Sequence, residues 1–224
     1  MPLLRSQKSL TAYYTAALAT GDTTPENLEQ PVAPEFTQLL ARTCLTGPLR
    51  TALDIGYGAG AYAIALAQNG FDVQAVDRVA AELFTSRLPA SEWAARIRVI
   101  CSPIQQYPIT APLGVLVAKD ILHYLPRSDA YAVLGAGIAV SVPGSCHYLQ
   151  IFTDIDRTDR DGKPIGIEDE LDSSTDQLVA DLDHLYRGWS LHHTTADHRE
   201  HDRCTGHPYF HATKVTTIAR RGHP

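Results

Sequence analysis

What this sequence lacks narrows it first. Its four cysteines, Cys44, Cys101, Cys146 and Cys204, are widely spaced and form no C-x-x-C pair. That pattern excludes a dense disulfide scaffold and suits reduced, mostly buried thiols in a cytoplasmic protein. Positive charge is also scarce. Lys and Arg number 19 against 25 Asp and Glu, giving a formal net charge of -6, and the longest basic cluster is Arg220-Arg221. A protein that grips nucleic-acid phosphates needs a basic stripe, so nucleic acid is not an expected partner. No apolar run approaches membrane-spanning length, and the opening MPLLRSQKSLTAYY has no signal-like apolar core. A membrane is therefore not expected either. There is no internal repeat or low-complexity tract. What remains is an ordinary apolar content of 44% in a 224-residue chain, the size of one α/β domain.

The most informative stretch that is present runs from residue 51 to 77, TALDIGYGAGAYAIALAQNGFDVQAVD. TALDI is apolar on both sides, as a central parallel strand must be. Gly56, Gly58 and Gly60 allow a tight turn and close approach of backbone to a ligand. The helix that follows begins at Ala61, so its free N–H groups face whatever lies over the glycines. Asp77 closes the second strand, where a carboxylate can accept hydrogen bonds from a ribose diol. The unit reads as a nucleoside holder.

A glycine-rich turn alone does not say which nucleoside, because Gly56, Gly58 and Ala61 also fit the loose G-x-G-x-x-G/A dinucleotide pattern. Asp54 separates the options. A carboxylate at the strand end would repel a pyrophosphate and suit a ligand with an ammonium group. Asp54-Ile-Gly56-Tyr-Gly58-Ala-Gly60 resembles the E/D-x-G-x-G-x-G motif of class I S-adenosylmethionine-dependent methyltransferases at every signature position. The resemblance spans about residues 36–220, strongest over 53–77. It implies a doubly wound α/β fold with a mostly parallel seven-stranded sheet and a terminal antiparallel strand. It also implies S-adenosylmethionine as cofactor and methyl transfer to a small-molecule acceptor at an O, N, S or C atom.

The rest of the chain supplies elements for such a sheet. Residues 1–34 read as a helical cap (LTAYYTAAL) with a turn-rich tail, and 35–224 as the main domain. Helices are expected over 35–45, 80–88, 128–140 and 172–186, the third capped by Ser128 or Asp129. Strands are expected over 96–101, 113–118, 146–153, 189–195 and 210–219, with a turn at Pro143-Gly144. Residues 154–174 read as a solvated acidic insertion, a candidate lid.

Ligands in an open α/β sheet bind at the carboxyl ends of the strands. The cofactor positions implied by the resemblance are Asp54, the three glycines, Asp77, Arg78, Ser102, Ile104 and Lys119. Ser102 stands where the family usually has an acid against the adenine amine, with Ile104 available to pack on the ring. VLVAKDILHYLP resembles the segment after the fourth strand in small-molecule methyltransferases, which makes Asp120 and His123 candidate general bases. The competing structural reading has Asp120 capping the next turn and His123 packed under Tyr124. Tyr13, Tyr14, Tyr124, His207, Tyr209 and His211 are candidate acceptor-site residues. The last three lie in a tail that loosely resembles tellurite-resistance, thiopurine-like and natural-product methyltransferases.

Two other signals are weaker. RTDRDGKPIGIE (157–168) places Asp159, Asp161, Gly162 and Glu168 at calcium-loop positions, but Arg157 takes the first position and Pro164 the eighth. DHREHDRCTGHPYFH has the composition of a zinc site without its spacing, so no metal is expected. The alternatives to the methyltransferase are an NAD-type oxidoreductase and a non-catalytic binding protein of the same fold. The oligomeric state is left open, a homodimer being one option.

Overall fold

The computed structural model describes residues 3–20, 32–46, 49–159, 161–201 and 205–222, without the side chains of 43–46. The Cys44 side chain, the Gly47-Pro48 break, Asp202, Cys204 and most of the turn-rich 21–34 stretch lie outside what it describes. In chain order the elements are β1 (Leu3–Arg5), α1 (Gln7–Thr20), α2 (Pro34–Thr46), β2 (Thr51–Ile55), α3 (Ala61–Gln68), β3 (Asp72–Asp77) and α4 (Glu82–Thr85). Then come β4 (Ile97–Cys101), β5 (Leu113–Lys119), α5 (Arg127–Val140), β6 (Ser141–Arg157), β7 (Ile165–Ile167), α6 (Thr175–Leu185), β8 (Trp189–His201) and β9 (Pro208–Arg221).

The main sheet has the order β4-β3-β2-β5-β6-β9-β8. Only β9, last in the chain, runs antiparallel to its neighbours, and it lies between β6 and β8. This is the expected doubly wound, mostly parallel seven-stranded sheet. Its central strands feed two layers by simple alternation. Val115 and Val117 join a core with Phe36 and Leu39 of α2 and Leu66 of α3. Leu116 and Ala118, one residue out of phase, join the opposite core with Leu134 of α5 and Leu178 of α6. A period of two on strands covered on both faces makes every residue apolar.

Several boundaries moved, for identifiable reasons. The strand pairing of β6 starts at Ser141 and passes through Pro143-Gly144, with a register irregularity on β5 between Leu113 and Val115, instead of waiting for a turn. Helix α5 begins at Arg127 behind Pro126, so Ser128 and Asp129 lie inside its first turn and make no cap bond. Ser174 does cap α6, its Oγ accepting from the Gln177 N–H at 3.3 Å. Helix α4 is only four residues long. Of the two described cysteines, Cys146 is buried but Cys101 is exposed, contrary to the expectation of mostly buried thiols. No helix among the described residues is long and apolar enough to cross a membrane.

The largest departure concerns the insertion. Residues 165–167 form a strand that pairs in parallel with Leu3–Arg5, and Ile165, Ile167 and Leu171 are buried. The chain's start and its insertion thus fasten to each other. Strands β8 and β9 also run longer than expected, to His201 and from Pro208, so with β6 they extend past the parallel strands as an antiparallel wall.

Candidate functional site

The strand order reverses between β2 and β5, and a cavity of about 1500 Å³ opens at the carboxyl ends of those strands. Its floor is the glycine turn. All three glycines have positive φ, at 71°, 53° and 86° for Gly56, Gly58 and Gly60, yet they do different work. A Cβ on Gly56 would strike Ile121 at 2.6 Å, and one on Gly60 would strike Phe84 at 2.1 Å. A Cβ on Gly58 would meet nothing closer than 4.0 Å, because it would project into the cavity. Gly56 and Gly60 close the packing, and Gly58 leaves room.

Asp77 stands beside that opening. Its Oδ2 accepts the Gly58 N–H at 3.1 Å and its Oδ1 the Val79 N–H at 3.3 Å. Burial raises its carboxyl pKa, and these backbone donors pull the other way. Arg78, next in the chain, donates to Gln7 Oε1 at 2.9 Å. Gln7 Nε2 in turn donates to the carbonyls of Tyr124 and Glu168, both at 2.9 Å. One amide therefore ties α1 to the ends of β3 and β5 and to the insertion.

At the end of β5, Asp120 adopts a left-handed backbone conformation with φ 54°. Lys119 Nζ donates to its Oδ2 at 2.5 Å and Gln150 Nε2 to its Oδ1 at 2.7 Å. Both carboxylate oxygens are engaged, and non-glycine strain of this kind concentrates at functional sites. Across the cavity the hydroxyls of Tyr14 and Tyr124 bond at 2.6 Å.

Of the residues singled out from the sequence, Gly56, Gly58, Asp77, Arg78, Lys119, Asp120, Tyr13, Tyr14, Tyr124, His207 and Tyr209 line this one cavity. Six others lie elsewhere. Asp54 is 2% exposed beneath the turn, with an N–H of Ala63 on its carboxylate and Oδ2 unpartnered. Burial, with a smaller push from Asp77, raises its pKa to about 7. Gly60 packs on Phe84, and Ile104 sits in the core beside Val76. Ser102 turns its hydroxyl onto the Pro103 carbonyl at 3.2 Å. His123 is fully buried with its ring 4.1 Å from that of Tyr124, the packed arrangement weighed against the catalytic one. Burial lowers its pKa to about 3, which leaves a poor base at neutral pH. His211 donates to Asp197 at 2.6 Å on the outer side of the hairpin, holding that carboxyl below its usual range.

Sequence reasoning passed over Gln7, Gln150, Phe152 and Lys214, and weighed Arg157 and His198 only within the discounted calcium-like and histidine-rich stretches. Period-two reading of β6 would have put Gln150 and Phe152 on one face, but the others depend on pairings between distant segments. In the calcium-like stretch, Arg157 instead makes two bonds of 2.6 Å to Glu170. Asp159 Oδ1 accepts the N–H groups of Asp161 and Lys163 within its own turn. Among the described residues no group of three or more His, Cys, Asp and Glu side chains is placed to hold a metal ion.

No protein-family model matches this sequence, and no curated protein matches it. Solved structures match its fold. The 1,6-didemethyltoxoflavin-N1-methyltransferase of Burkholderia thailandensis, with bound 1,6-didemethyltoxoflavin and S-adenosylhomocysteine, has a TM-score of 0.62 at 17% identity over 99% of this chain and 92% of its own. The N-methyltransferase NodS of Bradyrhizobium japonicum, in complex with S-adenosylhomocysteine, has a TM-score of 0.56 at 15% identity over 94% and 97%. The cyclase SpnF has a TM-score of 0.59 at 13% identity over 100% and 99%. At these identities the likeness is one of fold, and the chain has the methyltransferase fold.

Proposed function

We propose that this chain transfers a methyl group from S-adenosylmethionine to a small molecule held in the same cavity. The observation that carries the reading is the junction of Gly58 and Asp77: an open Cβ direction beside a carboxylate fixed by two backbone N–H groups. The residues present fit the cofactor. Asp77 would take the ribose hydroxyls, the open space at Gly58 would admit the nucleoside, and the turn before α3 brings no charged side chain against a sulfonium.

Bound there, the cofactor would supply an electrophilic methyl group on a good leaving group. The protein's task is then to position an acceptor atom and exclude water. Asp120 would orient the acceptor or take its proton at a carboxylate oxygen, giving up the Gln150 or Lys119 bond to do so. Tyr14, Tyr124 and the clasp of β1 with β7 would close the cavity, with residues 1–34 as cap and 154–174 as lid on the 35–224 domain. Several neighbours of this fold carry bound S-adenosylhomocysteine, which supports the cofactor assignment.

A dinucleotide fits less well. In the dinucleotide-binding sheet the sixth strand lies directly beside the fifth, whereas here β9 stands between β6 and β8, the strands at the corresponding positions. A second reading, cofactor binding without methyl transfer, draws on the cyclase of the same fold. Titration calorimetry with S-adenosylhomocysteine and with NADH tests the assignment: heat with the first is expected, and heat with NADH alone would overturn it. Loss of label from methyl-labelled S-adenosylmethionine to an acceptor then separates the two cofactor-binding readings.

A further inference from the structure

On the reading that this cavity holds a methyl acceptor, we propose that the acceptor is a planar aromatic molecule bearing an acidic group. Its ring would pack against the aromatic wall of Tyr14, Tyr124, Phe152 and Phe210 beside Arg157, and its anion would meet Lys214.

The wall is built by register. Antiparallel pairing sets Phe152 opposite Lys214, and Arg157 opposite Phe210. Pairing of β8 with β9 sets Phe210 opposite Glu200, and Ala212 opposite His198. Directly paired residues share a face, so alternate positions on three strands present one surface to the cavity. That surface is rich in rings. Phe152 lies 5.2 Å from Phe210 and 4.8 Å from His198, centroid to centroid, and Tyr14 lies 5.9 Å from Tyr124 in edge contact. The Arg157 guanidinium lies over the rings of Tyr124 and Phe210, 5.8 and 5.1 Å from their centroids, so a flat π-system would meet this surface beside Arg157 in offset or edge contact.

Charge bookkeeping decides the substituent. The acids of this half have donors or lie in solvent: Glu200 takes the Tyr209 hydroxyl and His198, Asp159 takes N–H groups of its own turn, and Asp161 is mostly exposed, 3.9 Å from Lys163. Arg157 is neutralised by Glu170. Lys214 is different. It lines the cavity half-buried, and no side chain or carbonyl among the described residues engages its ammonium. His207 Nε2 lines the same wall, buried and unpartnered. A free cation and an open ring nitrogen among aromatic faces suit an aromatic anion. A neutral sugar would leave the ammonium unpaired. Space permits it, since single small-ligand pockets span about 300–1000 Å³ and this cavity is about 1500 Å³, enough for a nucleoside and a second molecule.

The test uses three probes on the full chain with and without S-adenosylhomocysteine: 3-hydroxy-2-naphthoate, 2-naphthol and cyclohexanecarboxylate. Calorimetry should show the naphthoate binding most tightly. Lys214→Met should weaken it by about tenfold or more, the loss of one charge-assisted hydrogen bond, while leaving 2-naphthol unchanged. Lys214→Arg should retain it, and Phe152→Leu should weaken both ring compounds. Equal binding of the two carboxylates, no naphthoate binding, or indifference to Lys214→Met would overturn the proposal. Naphthoate binding without any S-adenosylhomocysteine binding would sustain this pocket and remove the methyl-transfer reading instead.

Discussion

The hydroxyls of Tyr14 and Tyr124 meet at 2.6 Å, joining helix α1 to the segment that follows β5. The two residues are 110 positions apart in the chain. Burial raises both phenols above their ordinary pKa, so each is a neutral donor or acceptor for the other. Gln7 repeats the link one step away, through the Tyr124 carbonyl. The covering of the cavity thus adds these polar contacts to the buried Leu10 and Leu18 of α1.

That contact predicts non-additive energetics. Tyr14→Phe leaves the Tyr124 hydroxyl without its partner, a loss of about 1–3 kcal/mol. Removing the second hydroxyl as well should cost little more. Urea denaturation of both single variants and the double variant should give a coupling of about 1 kcal/mol. Additive losses would mean that the two hydroxyls are independently hydrated.

The glycines should separate ligand binding from folding. Gly58→Val fills the open direction and should abolish S-adenosylhomocysteine binding while a folded domain persists. Gly60→Ala drives a Cβ to 2.1 Å from Phe84, so it should lower the melting temperature by several degrees. The φ of Gly58 is also positive, so Gly58→Val carries some strain of its own. Calorimetry and thermal melting on both variants read the two effects apart. Equal stability losses with equal binding losses would show that the turn has no ligand-facing position.

Asp77 should set cofactor affinity. Losing a charged, mostly buried hydrogen-bonding group costs about 1.5–3 kcal/mol, so Asp77→Ala should weaken S-adenosylhomocysteine by one to two decades. Asp77→Asn keeps an acceptor for the Gly58 N–H and should fall between. An unchanged dissociation constant in Asp77→Ala would take the ribose contact away from this residue.

The legible part of this protein was the part whose contacts are local. From Thr51 to Asp77 each residue's role follows from its neighbours within one strand–turn–helix–strand unit, and the strand bounds there agree closely. The acceptor wall was less legible because polar strands look like loops. Residues 196–201, ADHREH, carry no apolar alternation, yet they pair with β9 along their length. Strand β1 is three residues long and gains its partner about 160 residues away, which no window of sequence exposes. The motifs mark Asp54 and His123 as chemical groups, but Asp54 is buried beneath the turn and His123 against Tyr124 and Phe152. Asp120 lies in the cavity wall, but Gln150, which holds its second oxygen, comes from another strand.

Asp54 and His123 should limit stability at opposite ends of the pH range. Burial holds His123 near a pKa of about 3, while the unfolded chain takes up that proton near 6.5. Its stability contribution is therefore complete above about 6.5 and is lost as pH falls toward 3. His147, also lowered to about 3 by burial, acts in the same direction. Asp54 has the reverse sign. With a folded pKa of about 7 against 3.8 unfolded, the native state holds a proton that the unfolded chain releases. Its contribution is complete below 3.8, declines as pH rises, and is gone above about 7, a change on the order of 4 kcal/mol at most. His123→Leu should accordingly gain on the wild type as pH falls below about 6.5, and Asp54→Asn should gain as pH rises from about 4 to 8. Urea unfolding at four pH values across that range reads both differences. A pH-independent offset for either variant would mean that its side chain titrates as it does in water, and so reaches solvent through an opening next to the cavity.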